Sequence, residues 1–254
     1  MPINYARRLI GSERSSVANR HLGFALAAIA GAINAGGFLA VQQYTSHMTG
    51  IVSSMADNLV LGAHGLVLAG LGGVVSFLLG AACSTLMIHY SRRRRLSSEY
   101  ALPLLLEAVL LLCFGLLGGL LATIEGLFVP LTVMLLCFIM GLQNALITKL
   151  SRAEIRTTHV TGIVTDIGIE LGRLLYWNRS VDLDRVAVDW QRLRILLTLL
   201  GCFSLGGVAG ALGFNYLGYV STVPLALFLV LLAGVPAVDD LLRLTRLALE
   251  RFRG

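Results

Sequence analysis

Six stretches of this chain are almost wholly apolar: His21–Val41, Gly65–His89, Ala101–Ala122, Leu127–Leu150, Leu193–Leu217 and Val220–Val238. Each reaches the roughly 20 residues that a helix needs to cross the hydrocarbon of a bilayer. In that medium no water is at hand for backbone N–H and C=O groups, so a spanning segment must pair them within itself, as a helix does. The rest of the composition fits: 13% of the residues are charged and 56% are hydrophobic, where a soluble domain carries about 25% and about 45–50%. There is too little charge here to cover a water-facing surface. A cytosolic enzyme, a secreted disulfide scaffold and a disordered tail protein are excluded, and the expected fold class is an all-α polytopic membrane protein.

Two further segments, Thr49–Leu61 and Thr161–Leu175, are apolar but short and contain acids. The distribution of positive charge decides how to read them, because cytoplasmic loops are enriched in Lys and Arg. With six crossings and both termini cytoplasmic, all 20 Lys and Arg residues lie on the cytoplasmic side. If both short segments also crossed, Arg92–Arg95, Lys149, Arg152 and Arg156 would move outside and leave a split of 13 to 7. The first arrangement is preferred, with the short segments as re-entrant half-helices that enter and leave on one side. The Arg92–Arg95 run is then a topology anchor, and no nucleic-acid partner is expected from the net charge of +6.

The chain also repeats itself. Gly31-Ala-Ile-Asn34-Ala35 returns as Gly141-Leu-Gln-Asn144-Ala145, and Thr45-Ser-His47-Met-Thr49-Gly50-Ile51-Val52 returns as Thr157-Thr-His159-Val-Thr161-Gly162-Ile163-Val164. Unrelated hydrophobic helices would share Leu and Val, not T-x-H-x-T-G-I-V. The expected organisation is a cytoplasmic segment 1–20, repeat A over 21–122, repeat B over 127–238 and a basic cytoplasmic tail 239–254. Each repeat reads span, re-entrant segment, span, span. An odd number of crossings turns the second copy upside down, giving the inverted-topology duplication found in many secondary transporters and some channels, with sites near the midplane.

The T-x-H-x-T-G stretches read as half-helix starts. Thr45, Thr49, Thr157 and Thr161 offer hydroxyls to cap free N–H groups, and Gly50 and Gly162 permit a close approach to backbone or ligand. Helix N-termini present unpaired donors and partial positive charge, which favours an anion. His47 and His159 add ring nitrogens that donate or accept hydrogen bonds, which suits proton coupling. Asp57, Asp166 and Glu170 lie in the half-helices, with Asp166 and Glu170 one turn apart on one face. Ionisable groups at membrane depth are costly and read first as functional; the alternative is that they cap helices or hold the two repeats together. Asn34 and Asn144 read equally as ligands or as interhelical glue. Glu107 is expected to snorkel to the interface, and Cys83, Cys113, Cys137 and Cys202 to be small packing residues. Two small-residue stripes, Gly72-Ser76-Gly80-Ser84 and Gly206-Gly210, mark contact faces within the bundle or between protomers of a homo-oligomer. Met1 to Arg20 is polar and basic, so no cleaved signal peptide is expected.

The Asn-Ala-containing first span followed by T-S-H-M-T-G, with its looser second copy, resembles the YoaK family of bacterial membrane proteins, a family built on a domain of unknown function. The resemblance runs from about His21 to Val238 and is most specific over Tyr44 to Gly50. It implies a multi-pass protein of the bacterial inner membrane and carries no substrate.

The functional expectation is a transporter or facilitator for a small polar solute, anionic by the logic of the helix ends. Its midplane site comprises Asn34, Thr45, His47, Thr49, Gly50, Asp57, Asn144, Thr157, His159, Thr161, Gly162, Asp166 and Glu170. No nucleotide motif is present, and no cofactor or metal is expected. A channel would share these features. The alternative from another class is an intramembrane metal-dependent hydrolase using His47, His159, Asp57 and Asp166, against which stands the absence of any H-E-x-x-H. A scaffold without transport is the third reading.

Overall fold

The structure, a computed structural model, describes residues 16–96, 98–121, 128–150, 158–177 and 186–253. Every regular element among them is helical: α1 (Ser16–Val41), α2 (Met48–Val60), α3 (His64–Arg93), α4 (Ala101–Leu121), α5 (Phe128–Leu150), α6 (Val160–Leu175), α7 (Trp190–Leu217), a 3-10 turn (Gly218–Ser221) and α8 (Thr222–Arg253). Four runs within these are long and apolar enough to cross a membrane: Val17–Val41, His64–Arg93, Val129–Leu150 and the 51-residue stretch Trp190–Asp240. The last holds α7 and the part of α8 up to Asp240. In α4 the apolar run Ala101–Leu116 is shorter. The chain is therefore an all-helical membrane protein.

Two close helix pairs organise the bundle. In the first, α1 lies on α7 with Ala28 against Gly206, Ala32 against Gly210 and Gly36 against Phe214. Residue numbers rise together on both helices, so the pair is parallel. In the second, α3 lies on α5 with Gly72 against Met134 and Gly80 against Leu142, again parallel. The two pairs oppose each other. Gln143 of α5 donates its amide to the Leu26 carbonyl at 3.3 Å, and Leu136 touches Gly37, so α5 runs antiparallel to α1. Finally, α4 packs antiparallel on α8, from Ser98 against Asp240 at one end to Gly115 against Thr222 at the other.

Glycine sets how close the first two pairs come. A Cβ on Gly31 would collide with the Phe203 carbonyl, and one on Gly206 with the Ala28 carbonyl. In the second pair Gly141 meets the Phe77 carbonyl and Gly80 the Phe138 carbonyl in the same way. Lipid tails are as apolar as Leu, so helices in a membrane associate through such dense packing rather than through expulsion of water. Both small-residue stripes are thus occupied within the chain: Ser76, Gly80 and Ser84 are buried on the α3 face, Gly206 is buried on that of α7, and Gly210 meets the Ala32 backbone.

The four cysteines are unpaired thiols, and Cys137 is buried between α3 and α5 against Gly73. Where α7 turns into α8, Phe114, Phe214 and Tyr219 form an aromatic cluster, with Tyr219 edge-on to the other two at 5.4 and 5.1 Å. An apolar cleft of about 390 Å³ opens beside it, lined by residues of α1, α4, α7 and α8.

Candidate functional site

The two T-x-H-x-T-G segments fold alike. After Val41 the chain leaves α1 through Gln42 at φ 55°, and Tyr44 stacks back on Phe38 with ring centroids 4.5 Å apart. It then doubles back along α1. The Ser46 hydroxyl donates to the Asn34 side-chain oxygen at 2.7 Å, and the Ser46 N–H reaches the same oxygen at 3.4 Å. His47 follows as the residue that opens α2. In the second copy the Thr158 hydroxyl donates to the Asn144 side-chain oxygen, and His159 opens α6. Thr157 lies outside the described residues.

Asn34 and Asn144 are accordingly anchors for the returning chain. The sequence comparison passed over their partners because Ser46 and Thr158 differ in identity. The signal was nevertheless there, since that position keeps a hydroxyl in both copies.

The histidines explain the glycine three residues on. At both helix starts the imidazole folds over the first turn, where a Cβ on Gly50 would fall 2.9 Å from His47 Nε2 and one on Gly162 3.0 Å from His159 Cε1. Any larger residue would displace the ring. Neither histidine caps its helix through the side chain, and both are exposed. The first-turn N–H groups of α2 and α6 therefore have no side-chain cap at the Ncap position, and each helix start presents an imidazole beside open donors.

The threonines do less than their pattern implies. Thr45 is fully buried, and among the described residues its hydroxyl meets no donor or acceptor. Thr49 and Thr161 are exposed, and the Thr161 carbonyl accepts from the Thr165 hydroxyl at 2.8 Å.

The acids separate by role. Asp57 stands on the exposed side of α2 beside Asn58, whose amide bonds to Ser54 at 3.1 Å. Asp166 and Glu170 face the start of α7 instead. Glu170, only 1% exposed, accepts from Arg173 at 2.8 Å and from the Asp189 N–H at 3.0 Å. Asp189 in turn caps α7 by accepting from the Arg192 N–H at 2.9 Å. Asp166 pairs with Arg192 at 3.1 Å. Together these contacts latch α6 onto α7.

The two helix starts do not share one pocket wall. The principal neighbour of α2 is α3, through Ile51 and Met55 against Gly70, and that of α6 is α7. Gln143 is level with Leu26, so its neighbour Asn144 stands near that level too. Asn34 then lies about 12 Å further along α1, at 1.5 Å of rise per residue. Among the described residues no three of His, Cys, Asp and Glu gather as a metal-ligand set.

Glu107 departs from expectation. It does not snorkel: its side chain is fully buried in α4, and among the described residues no donor reaches either carboxylate oxygen.

Residues 22–235 match the family model described as a protein of unknown function, DUF1275. The chain belongs to that family. No curated protein and no solved structure matches it. Membership of DUF1275 assigns no chemistry to the chain.

Proposed function

We propose that this DUF1275 protein is a membrane transporter or facilitator for a small anionic solute. The carrying observation is the pair of Asn-anchored turns, each ending in an exposed histidine over glycine at an open helix start. Two such starts offer N–H donors and partial positive charge to an anion. The antiparallel course of α1 and α5, with the matching glycine–carbonyl contacts of Gly31 and Gly141, supports reading repeats 21–122 and 127–238 as an inverted duplication. On that reading α2 and α6 are re-entrant half-helices, the chain crosses six times, and both termini face the cytoplasm of a bacterial cell. Because the two turns differ in level along the bundle, each is a half-site. The solute passes from one to the other, and His47 and His159 take successive hold of it.

The test is a thermal-shift screen of purified protein against small carboxylates, inorganic anions, amino acids and divalent metals. A ligand that binds only the folded state at one hundred times its Kd adds about 2.7 kcal/mol of stability. An anion should raise the melting temperature of the wild type and do so less in His47→Ala and in His159→Ala. No shift with any anion would overturn the proposal, and a shift with zinc alone would overturn it in favour of the hydrolase.

A further inference from the structure

The most anomalous side chain in the bundle lies outside the two turns. Glu107 is fully buried, and among the described residues neither of its carboxylate oxygens has a donor. An uncompensated charge at such a place costs far more than any single packing defect, and a buried carboxyl without a cation avoids that cost by holding a proton. Among the described side chains no cation bonds to it. On α8, which packs along α4, the ionisable groups whose side chains are described are Asp239 and Asp240; Asp240 accepts from both the N–H and the hydroxyl of Ser98 at 2.8 and 2.5 Å. On α5 they are Cys137 and an exposed Lys149, and on α3 Cys83, the exposed His64, His89 and Tyr90, and the arginines at its end. Arg92 among these is turned to Glu99 at 2.8 Å. In the 3-10 turn Tyr219 stands beside Gly118, beyond Glu107 on α4. None of these groups bonds to Glu107. The adjoining helices also bury oxygens that lack partners: the Ser84 and Ser91 hydroxyls on α3 and the Gln143 side-chain oxygen on α5.

We propose that Glu107 is a proton-binding site inside the bundle, a carboxyl that takes a proton from water and returns it when the α4–α8 contact opens. Glu107 lies about 9 Å along α4 from Ala101, at 1.5 Å per residue. The Ser98–Asp240 pair stands at that end and is the polar step between the site and the water there. Under the transport reading, on which this clause rests, the proton is the coupled ion. The site itself is independent of that reading.

Infrared difference spectroscopy of the full-length protein in liposomes, in H2O and in D2O, tests the site. The expected result is a protonated-carboxyl band at neutral pH that shifts in D2O, bleaches on alkaline titration and is missing from Glu107→Gln. If Glu107→Gln fails to fold, Glu107→Asp in protein labelled with carboxyl-13C glutamate keeps the test alive, because the band then loses its isotope shift. No acid band at neutral pH, a band unmoved by prolonged exposure to D2O, or a band that persists in Glu107→Gln would overturn the proposal. Absence of any anion binding in the thermal-shift screen would sink the transport reading while leaving the infrared result standing.

Discussion

The side-chain oxygen of Asn34 accepts the Ser46 hydroxyl at 2.7 Å and so holds the returning chain against α1, a helix it has just left. Asn144 and Thr158 repeat the bond. One hydroxyl and one amide, twelve residues apart in the first copy, thus set the depth at which α2 begins. Asn34→Ala should therefore free the turn without unfolding the bundle. A lost hydrogen bond of this kind costs about 1 kcal/mol. The expected outcome is a small fall in melting temperature together with faster chymotrypsin cleavage at Tyr44 or faster amide exchange between Gln42 and Met48, and Ser46→Ala should give the same exchange pattern. An unchanged exchange rate in both variants would show that the bond does not hold the turn.

Gly50 and Gly162 leave room for the imidazoles of His47 and His159. Gly50→Ala and Gly162→Ala should displace those rings while improving the intrinsic helix propensity of the site. Anion-induced stabilisation should fall in each variant, with little change in the stability of the unliganded protein. Full retention of the anion shift would separate ring position from binding.

At the crossing of α1 and α7 the backbone of Phe203 rests on Gly31, and at that of α3 and α5 the backbone of Phe77 rests on Gly141. Gly31→Val and Gly141→Val should each destabilise the fold by about 1–3 kcal/mol, the usual range for overpacking. The check is the midpoint of denaturation in detergent. Wild-type midpoints would mean that the helices separate at little cost.

Glu170 is the buried member of the latch between α6 and α7. Glu170→Gln keeps the shape but removes the charge-assisted bonds from Arg173 and Asp189, which are worth about 1.5–3 kcal/mol each in favourable settings and less toward the half-exposed Arg173. Asp166→Asn, at a more open pair, should cost under about 1 kcal/mol. Measured by urea or thermal denaturation, the order Glu170 over Asp166 is the expected result; the reverse order would contradict the burial difference.

The proposed topology has its own check. A cysteine replacing the exposed Leu61, at the far end of α2, should react with an impermeant thiol reagent from outside the cell, in a background lacking the native cysteines. One replacing Arg94, in the turn after α3, should not. Reaction at Arg94→Cys from outside would overturn the six-crossing arrangement.

Much of the architecture could be read from the residues alone. The long apolar runs around Leu26, Leu79, Leu136 and Leu199 dictate helices at membrane depth because no other backbone conformation satisfies its own polar groups in hydrocarbon. The duplicated T-x-H-x-T-G also announced itself, since polar residues in fixed order are improbable in lipid-facing sequence. Gly50 and Gly162 were singled out as places of close approach, and it is the histidine three residues earlier that approaches.

Other features depend on long-range pairing, which periodicity does not encode. That Gly206 meets the Ala28 carbonyl follows from the parallel approach of α7 to α1, and no local pattern on either helix specifies its partner. Asp166 and Glu170 share a face whichever neighbour that face meets, and it took the start of α7, with Arg192 and the Asp189 N–H, to make them a latch. Glu107 illustrates the difference most plainly. One turn into an apolar helix, a carboxylate can extend to the interface or be enclosed, and its own segment is the same in either case. The packing of α8 along α4 encloses it, because burial is a property of the neighbours and not of the residue.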